Sequence, residues 1–93
     1  MVWYVYILEC GNGSYYVGHT HDLSQRIGRH INQQGARHTA QNSVVDLLYH
    51  ETHATETDAM RRELQIKRWS RAKKDALVHG KTEELRQLSR SRD

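Results

Sequence analysis

Two tyrosines, Tyr6 and Tyr16, stand on either side of a Gly-Asn-Gly-Ser segment; Arg26 and His30 lie four residues apart; and Glu63 is the one acid in a basic run. Attack on a phosphodiester needs an activated water, stabilisation of charge on the non-bridging oxygens and help for the departing oxygen. These side chains are of the types that could supply each need. An arginine presents a planar fork suited to a phosphate, which a lysine does not. A single carboxylate such as Glu63 suits Mg²⁺, an ion that keeps most of its water and takes few protein ligands.

Each residue also has an ordinary structural reading. A helical arginine usually packs its stem on the core and sends its charge to water, and two tyrosines on paired strands usually serve packing. Glu63 could simply pair with Lys67 at i+4. Gly18, at the end of the segment Tyr15-Tyr16-Val17-Gly18, could allow an unusual backbone angle or the close approach of a ligand backbone. A free tyrosine has a pKa of roughly 10, so either tyrosine could act as a base only with its proton drawn off by a neighbour. The sequence does not choose between them; Tyr16 assisted by His30 is the reading favoured.

The elements that must position these groups can be read from pattern. The run Trp3 to Cys10 is rich in β-branched and aromatic residues and stops at Gly11-Asn12-Gly13-Ser14, so it predicts a β-hairpin with the strand at Tyr15 to Gly18. Asp22 is an N-cap, with Leu23, Ile27 and Ile31 the buried stripe of a helix ending near His30 or Ile31. Residues 32–43 read as a polar loop, and Val44 to Tyr49 as a third strand. Thr55 with Asp58 signals the start of a helix reaching to Trp69, with Ala59, Met60, Leu64 and Ile66 at helical spacing. Ser70 caps a short helix through Val78, Gly80 breaks it, and Thr82 to Leu88 adds a last turn or two. The expectation is an α+β domain, a small three-stranded, mainly antiparallel sheet flanked by helices, spanning 1–80 with a helical turn and polar tail at 81–93.

Composition narrows the class of protein. At 37% hydrophobic and 27% charged residues, the chain has enough apolar mass for one modest core. The one cysteine, Cys10, excludes an internal disulfide, no leader-like segment precedes Trp3, and no apolar run would span a bilayer. A cytoplasmic protein without a membrane partner is expected. The pairs His19-x-His21 and His50-x-x-His53 lack further ligands at the spacing of a structural zinc site. Net charge is +3, and Arg61 to Lys74 holds seven basic residues against Glu63. A local excess of that kind favours polyanions, and Arg61, Lys67, Arg68, Arg71, Lys73 and Lys74 are the expected nucleic-acid-binding residues.

Taken in order, Tyr4-Val5-Tyr6, Tyr16-Val17-Gly18, Arg26 and His30, then Arg62-Glu63 with Lys67 and Trp69 resemble the GIY-YIG nuclease domain, in particular its small stand-alone bacterial members. The resemblance runs from Trp3 to about Leu77. It implies a metal-dependent endonuclease, with DNA the expected substrate and repair or processing the expected setting. By resemblance, Tyr6 and Tyr16 match the tyrosines of the two name motifs, Arg26 the catalytic arginine, His30 the polar residue after it, and Glu63 the glutamate that binds Mg²⁺ or Mn²⁺. The first motif opens with Tyr4 where the family name has Gly. The loop at 37–43 is less basic than in relatives and lacks their proline. Two rival readings are a non-catalytic nucleic-acid-binding module and a nuclease that works only within a larger complex.

Overall fold

The computed structural model describes residues 1–34 and 44–90, with side chains for 1–29 and 46–88. The elements run β1 (Trp3–Cys10), β2 (Tyr15–Thr20), α1 (Leu23–Gln34), β3 (Val44–His53), α2 (Glu56–Lys67), α3 (Arg71–Val78) and α4 (Thr82–Arg90). The three strands form one sheet in the order β2-β1-β3, with β1 central and both pairings antiparallel. This is the expected α+β architecture.

The β1–β2 turn closes through Gly13, whose φ of 83° only glycine adopts without strain, while the Asn12 side chain accepts from the backbone N–H and hydroxyl of Ser14. Three expected caps are in place. Asp22 accepts from Gln25 N, Thr55 from Asp58 N and Ser70 from Lys73 N, each satisfying an otherwise orphan N–H in a first turn.

Strand alternation divides β1 between two faces. Val5 and Ile7 meet Val17 of β2 and Ala59 and Ile66 of α2 in the main core, bordered by Trp3, Tyr15, Tyr49, Trp69, Leu77 and Val78. Tyr6 and Leu8 project to the opposite face, and both are fully buried. Burial of each large apolar side chain contributes about 1.5–3 kcal/mol, and β1 places four fully buried residues in a row, Val5 to Leu8.

Three expectations require correction. Helix α1 continues to Gln34, so the polar loop expected at 32–43 begins inside the helix; residues 35–43 lie outside the described residues. Strand β3 extends beyond Tyr49 to His53. There Glu51 accepts from the Tyr49 hydroxyl, His53 Nε2 and Arg62 Nε at 2.6, 2.6 and 3.0 Å, three donors that stabilise a carboxylate within the strand. Helix α2 turns Ala59 and Ile66 inward and carries Met60 and Leu64 away from the sheet, leaving them 45% and 51% exposed. Finally, the last segment is a regular helix, α4, packed on α3.

A clamp joins the hairpin to α3. Arg71 lies over the Tyr15 ring at 3.7 Å and donates to Gly13 O at 2.8 Å, and the Tyr15 hydroxyl donates to Asp75. No helix among the described residues is long and apolar enough to cross a membrane.

Candidate active site

The hairpin register places Tyr6 opposite Gly18 and Leu8 opposite Tyr16. Tyr6 and Tyr16 are therefore diagonal neighbours on one face, their rings stacked at 6.3 Å and 26°. A Cβ on Gly18 would stand 2.6 Å from Tyr6 Cζ and 3.2 Å from Tyr16 Cε1. The reason for glycine is thus space for the Tyr6 ring; the unusual backbone angle considered from sequence is absent, since positive φ among the described glycines belongs to Gly13 and Gly80.

The two tyrosines differ in setting. Tyr6 is fully buried and Tyr16 is 45% exposed. Burial, with Tyr16 adding to it, pushes the Tyr6 hydroxyl up to about 12, although Arg26 beside it favours ionisation. Arg26 comes from the first turn of α1, where Asp22 both caps the helix and accepts Arg26 N. The buried Thr20 fixes Asp22 in turn by accepting its N–H at 3.1 Å. Sheet end, cap and the Arg26 backbone thus form one short connected unit. His30 lies on the same helix, but its side chain falls outside the described residues.

Glu63 approaches from α2 on the other face. His19 Nδ1–H donates to Glu63 Oε1 at 2.6 Å and Lys67 Nζ donates to Oε2 at 2.7 Å. Burial opposes the charge, but these two donors outweigh it and hold the Glu63 carboxyl below the ordinary carboxylate range. His19 Nε2 also lies 3.5 Å from Glu56, and its ring is 6.0 Å from Trp3. The negative charge of Glu63 is felt at the Tyr6 hydroxyl, where it opposes ionisation. The assembly therefore straddles the edge strand β2 at Gly18, with Tyr6, Tyr16 and Arg26 on one side and His19, Glu63 and Lys67 on the other.

His19 was not singled out for this assembly from sequence. Its only signal was its place one residue beyond Gly18, which by alternation turns it toward the face that α2 covers.

The donor set fits one hard divalent cation held through a single carboxylate, with water and phosphate oxygens completing the shell. Glu63 is ionised and partly accessible, and its charge reaches the Tyr6 hydroxyl from the opposite face of the sheet. No group of three or more His, Cys, Asp or Glu side chains among the described residues is arranged as a closed metal cage.

The basic run is not uniform. Lys73, expected to face phosphate, is instead buried at 5% exposure with Nζ 4.6 Å from the Trp69 ring centroid. Its position three residues into α3 turns it inward, where its aliphatic stem packs and its charge meets an aromatic face. Arg62 bonds Glu51 and also lies over Trp69, and Arg71 belongs to the hairpin clamp. Arg61, Lys67, Arg68 and Arg71 are exposed.

Residues 2–75 match the GIY-YIG catalytic domain, a nuclease domain, and the chain belongs to that family. It is 43% identical over 75 residues to a UPF0213 protein of Bacillus pumilus, covering 81% of this chain and 76% of that one. A UPF0213 protein of Halobacterium salinarum is 42% identical over 74 residues, covering 80% of this chain and 96% of the relative. Among solved structures, the solution NMR structure of a UPF0213 protein from Bacillus halodurans is similar with a TM-score of 0.55 and 40% identity, over 85% of this chain and 84% of that one.

Proposed function

We propose that this protein is a divalent-metal-dependent endonuclease acting on DNA, with its centre at the β2 edge. The observation that carries this reading is the placement of Arg26 and the tyrosine pair on one face of β2 at Gly18, with an ionised, hydrogen-bonded Glu63 on the other face near enough for its charge to act on Tyr6. Those groups match the needs of phosphodiester hydrolysis, and the family is one of nucleases.

In this reading Arg26 clamps the scissile phosphate and offsets the negative charge that grows on its oxygens. Tyr16, the exposed tyrosine, faces the substrate and positions the attacking water. Tyr6, its hydroxyl pushed up by burial, orients Arg26 and carries Tyr16 on its ring. Glu63 anchors the cation, with His19 and Lys67 fixing its carboxylate plane. When bound, that cation supplies charge neutralisation on the phosphate and an acidified water. The exposed Arg61, Lys67, Arg68 and Arg71, together with Lys74, supply backbone affinity.

The test is incubation of purified protein with Mg²⁺ or Mn²⁺ and matched single-stranded, nicked, flapped and duplex DNAs, beside the same set in RNA. Cleavage of at least one DNA that stops in excess chelator is expected. Tight binding without cleavage of any substrate would make the chain a binding module, and preferential cleavage of RNA would reject the substrate assignment.

A further inference from the structure

The outward side of α2 carries a groove of about 390 Å³ lined by Arg61, Leu64, Gln65, Arg68 and Trp69. Arg61, Leu64 and Gln65 share one side of the helix at spacings of three and four residues, and the C-cap Arg68 with Trp69 beyond it closes that side at its C-terminal end. Leu64 is 51% exposed, and Met60 beside it is 45% exposed. None of the five lining residues is acidic. Whereas Arg62, Lys67 and Arg71 of the same run are ion-paired, neither Arg61 nor Arg68 has an ion-pair partner among the described residues. An apolar floor between two such arginines is complementary to a ligand that is both anionic and flat-faced.

We propose that this groove seats the bases of a single-stranded stretch of the nucleic acid being cut, with Arg61 and Arg68 on its phosphates and Leu64 and the Trp69 end wall against an unpaired base. The proposal rests on the nuclease reading and adds its substrate class: a strand with unpaired nucleotides beside the cut. A base in a duplex is already stacked and has no face to offer Leu64, whereas an unpaired base gains by packing on an apolar or guanidinium surface. The groove lies close to the centre. Leu64 directly follows Glu63, and Arg68 directly follows Lys67, which bonds Glu63. From Glu63 to Lys67, the last residue of α2, is about 6 Å along the helix axis at 1.5 Å per residue, a reach of about two nucleotides at about 3.4 Å each. Lys67, Met60 and Leu64 lie successively further round the helix from Glu63 and form a continuous path between centre and groove.

The test uses the whole chain in chelator, so that nothing is cut, with fluorescein-labelled hexathymidylate and a blunt duplex as probes. Leu64 and both arginines are exposed, and thermal melts of the variants should match wild type. Leu64→Ser should weaken hexathymidylate binding about tenfold, the usual effect of losing one base-packing contact, and leave the duplex nearly unchanged. The Arg61→Ala/Arg68→Ala double variant should weaken it further and flatten the log-log salt slope by about 1.4, two single-strand phosphates' worth. Amide shifts on titration with hexathymidylate should centre on residues 61–69 and include the Trp69 indole. Any of four results would overturn the proposal: Leu64→Ser binding hexathymidylate as wild type does; equal weakening of both probes; a concentration-dependent dimer that Leu64→Ser dissolves; or groove shifts with an acidic Glu-Leu peptide but not with the oligonucleotide. A wild type that seats hexathymidylate there yet cuts nothing with metal supports the groove and rejects the nuclease reading alone.

Discussion

Tyr6 and Gly18 face each other across the β1–β2 pair, and the Tyr6 ring occupies the space that any side chain at Gly18 would need. Gly18→Ala should therefore act through Tyr6. Both groups are buried, so the ring cannot simply swing into water; it must leave Tyr16 or push β2 outward. A cost of about 1–3 kcal/mol in urea unfolding is expected, typical of overpacking, together with a changed near-UV circular dichroism signal. A variant with wild-type stability and spectrum would show that the ring relocates freely.

Arg26→Ala should lower turnover by about 10²–10³ while leaving the melting temperature close to wild type, because the loss falls on charge that develops during reaction. Arg26→Lys should restore little, since a point charge does not reproduce the two-pronged contact. Equal rates for variant and wild type would move the chemistry elsewhere in the fold.

Glu63 should leave a mark on acid stability. Its folded pKa is depressed, so the stability it contributes is present above the unfolded value of about 4.3 and is lost as pH falls through the lower folded value. Urea unfolding of Glu63→Gln across that acid range should show a shallower decline than wild type. Parallel curves would mean that the bonds from His19 and Lys67 do not persist in solution.

Alkaline stability depends on tyrosines, Tyr6 and Tyr49 foremost among them. Burial is the largest cause in both cases, pushing Tyr6 and Tyr49 up to about 12. Ionisation of unfolded tyrosine begins near pH 10, so the stability linked to these hydroxyls is complete below about 10 and is lost as pH rises toward 12. Tyr6→Phe should remove part of that decline, read as unfolding free energy against pH. An unchanged decline would place the Tyr6 hydroxyl in water.

Lys73 and Lys74 should separate stability from affinity. Lys73→Ala removes a buried stem and its contact with Trp69 and should cost about 1–3 kcal/mol with no specific effect on nucleic-acid binding. Lys74→Ala should do the reverse, weakening binding and flattening the salt slope by about 0.9 on duplex. A stable Lys73→Ala variant with lost affinity would return Lys73 to the surface.

Legibility in the sequence followed the range of the interactions. The hairpin, the caps Asp22, Thr55 and Ser70, and the helices they start depend on residues within a few positions of one another, and their patterns are local. The grouping of Tyr6, Tyr16, Arg26 and Glu63 came from family resemblance, since no spacing rule joins a hairpin to a helix some forty residues on. The contact of His19 with Glu63 spans 44 residues and has no local signature. Lys73 was misplaced for a related reason: polarity suggested an outward lysine, but which side of α3 packs inward was decided with Ala76, three residues on. Strand β3 outran its apolar pattern because Tyr49, His53 and Arg62 stabilise Glu51.

The clamp between Arg71 and the hairpin also governs the order in which this protein can be assembled. Gly13 and Arg71 are separated by 58 positions, and Tyr15 and Asp75 by 60. During synthesis the hairpin that carries both candidate tyrosines emerges first, yet the groups that fasten its tip emerge some sixty positions later, and β3, which completes the pairing of central β1, lies between. Such distant closures make folding slow relative to local hairpin formation and place consolidation of the hairpin after most of the chain is available. A chain released before Arg71 would keep every residue of the tyrosine and arginine motifs and lack the fastener that holds their strands in register.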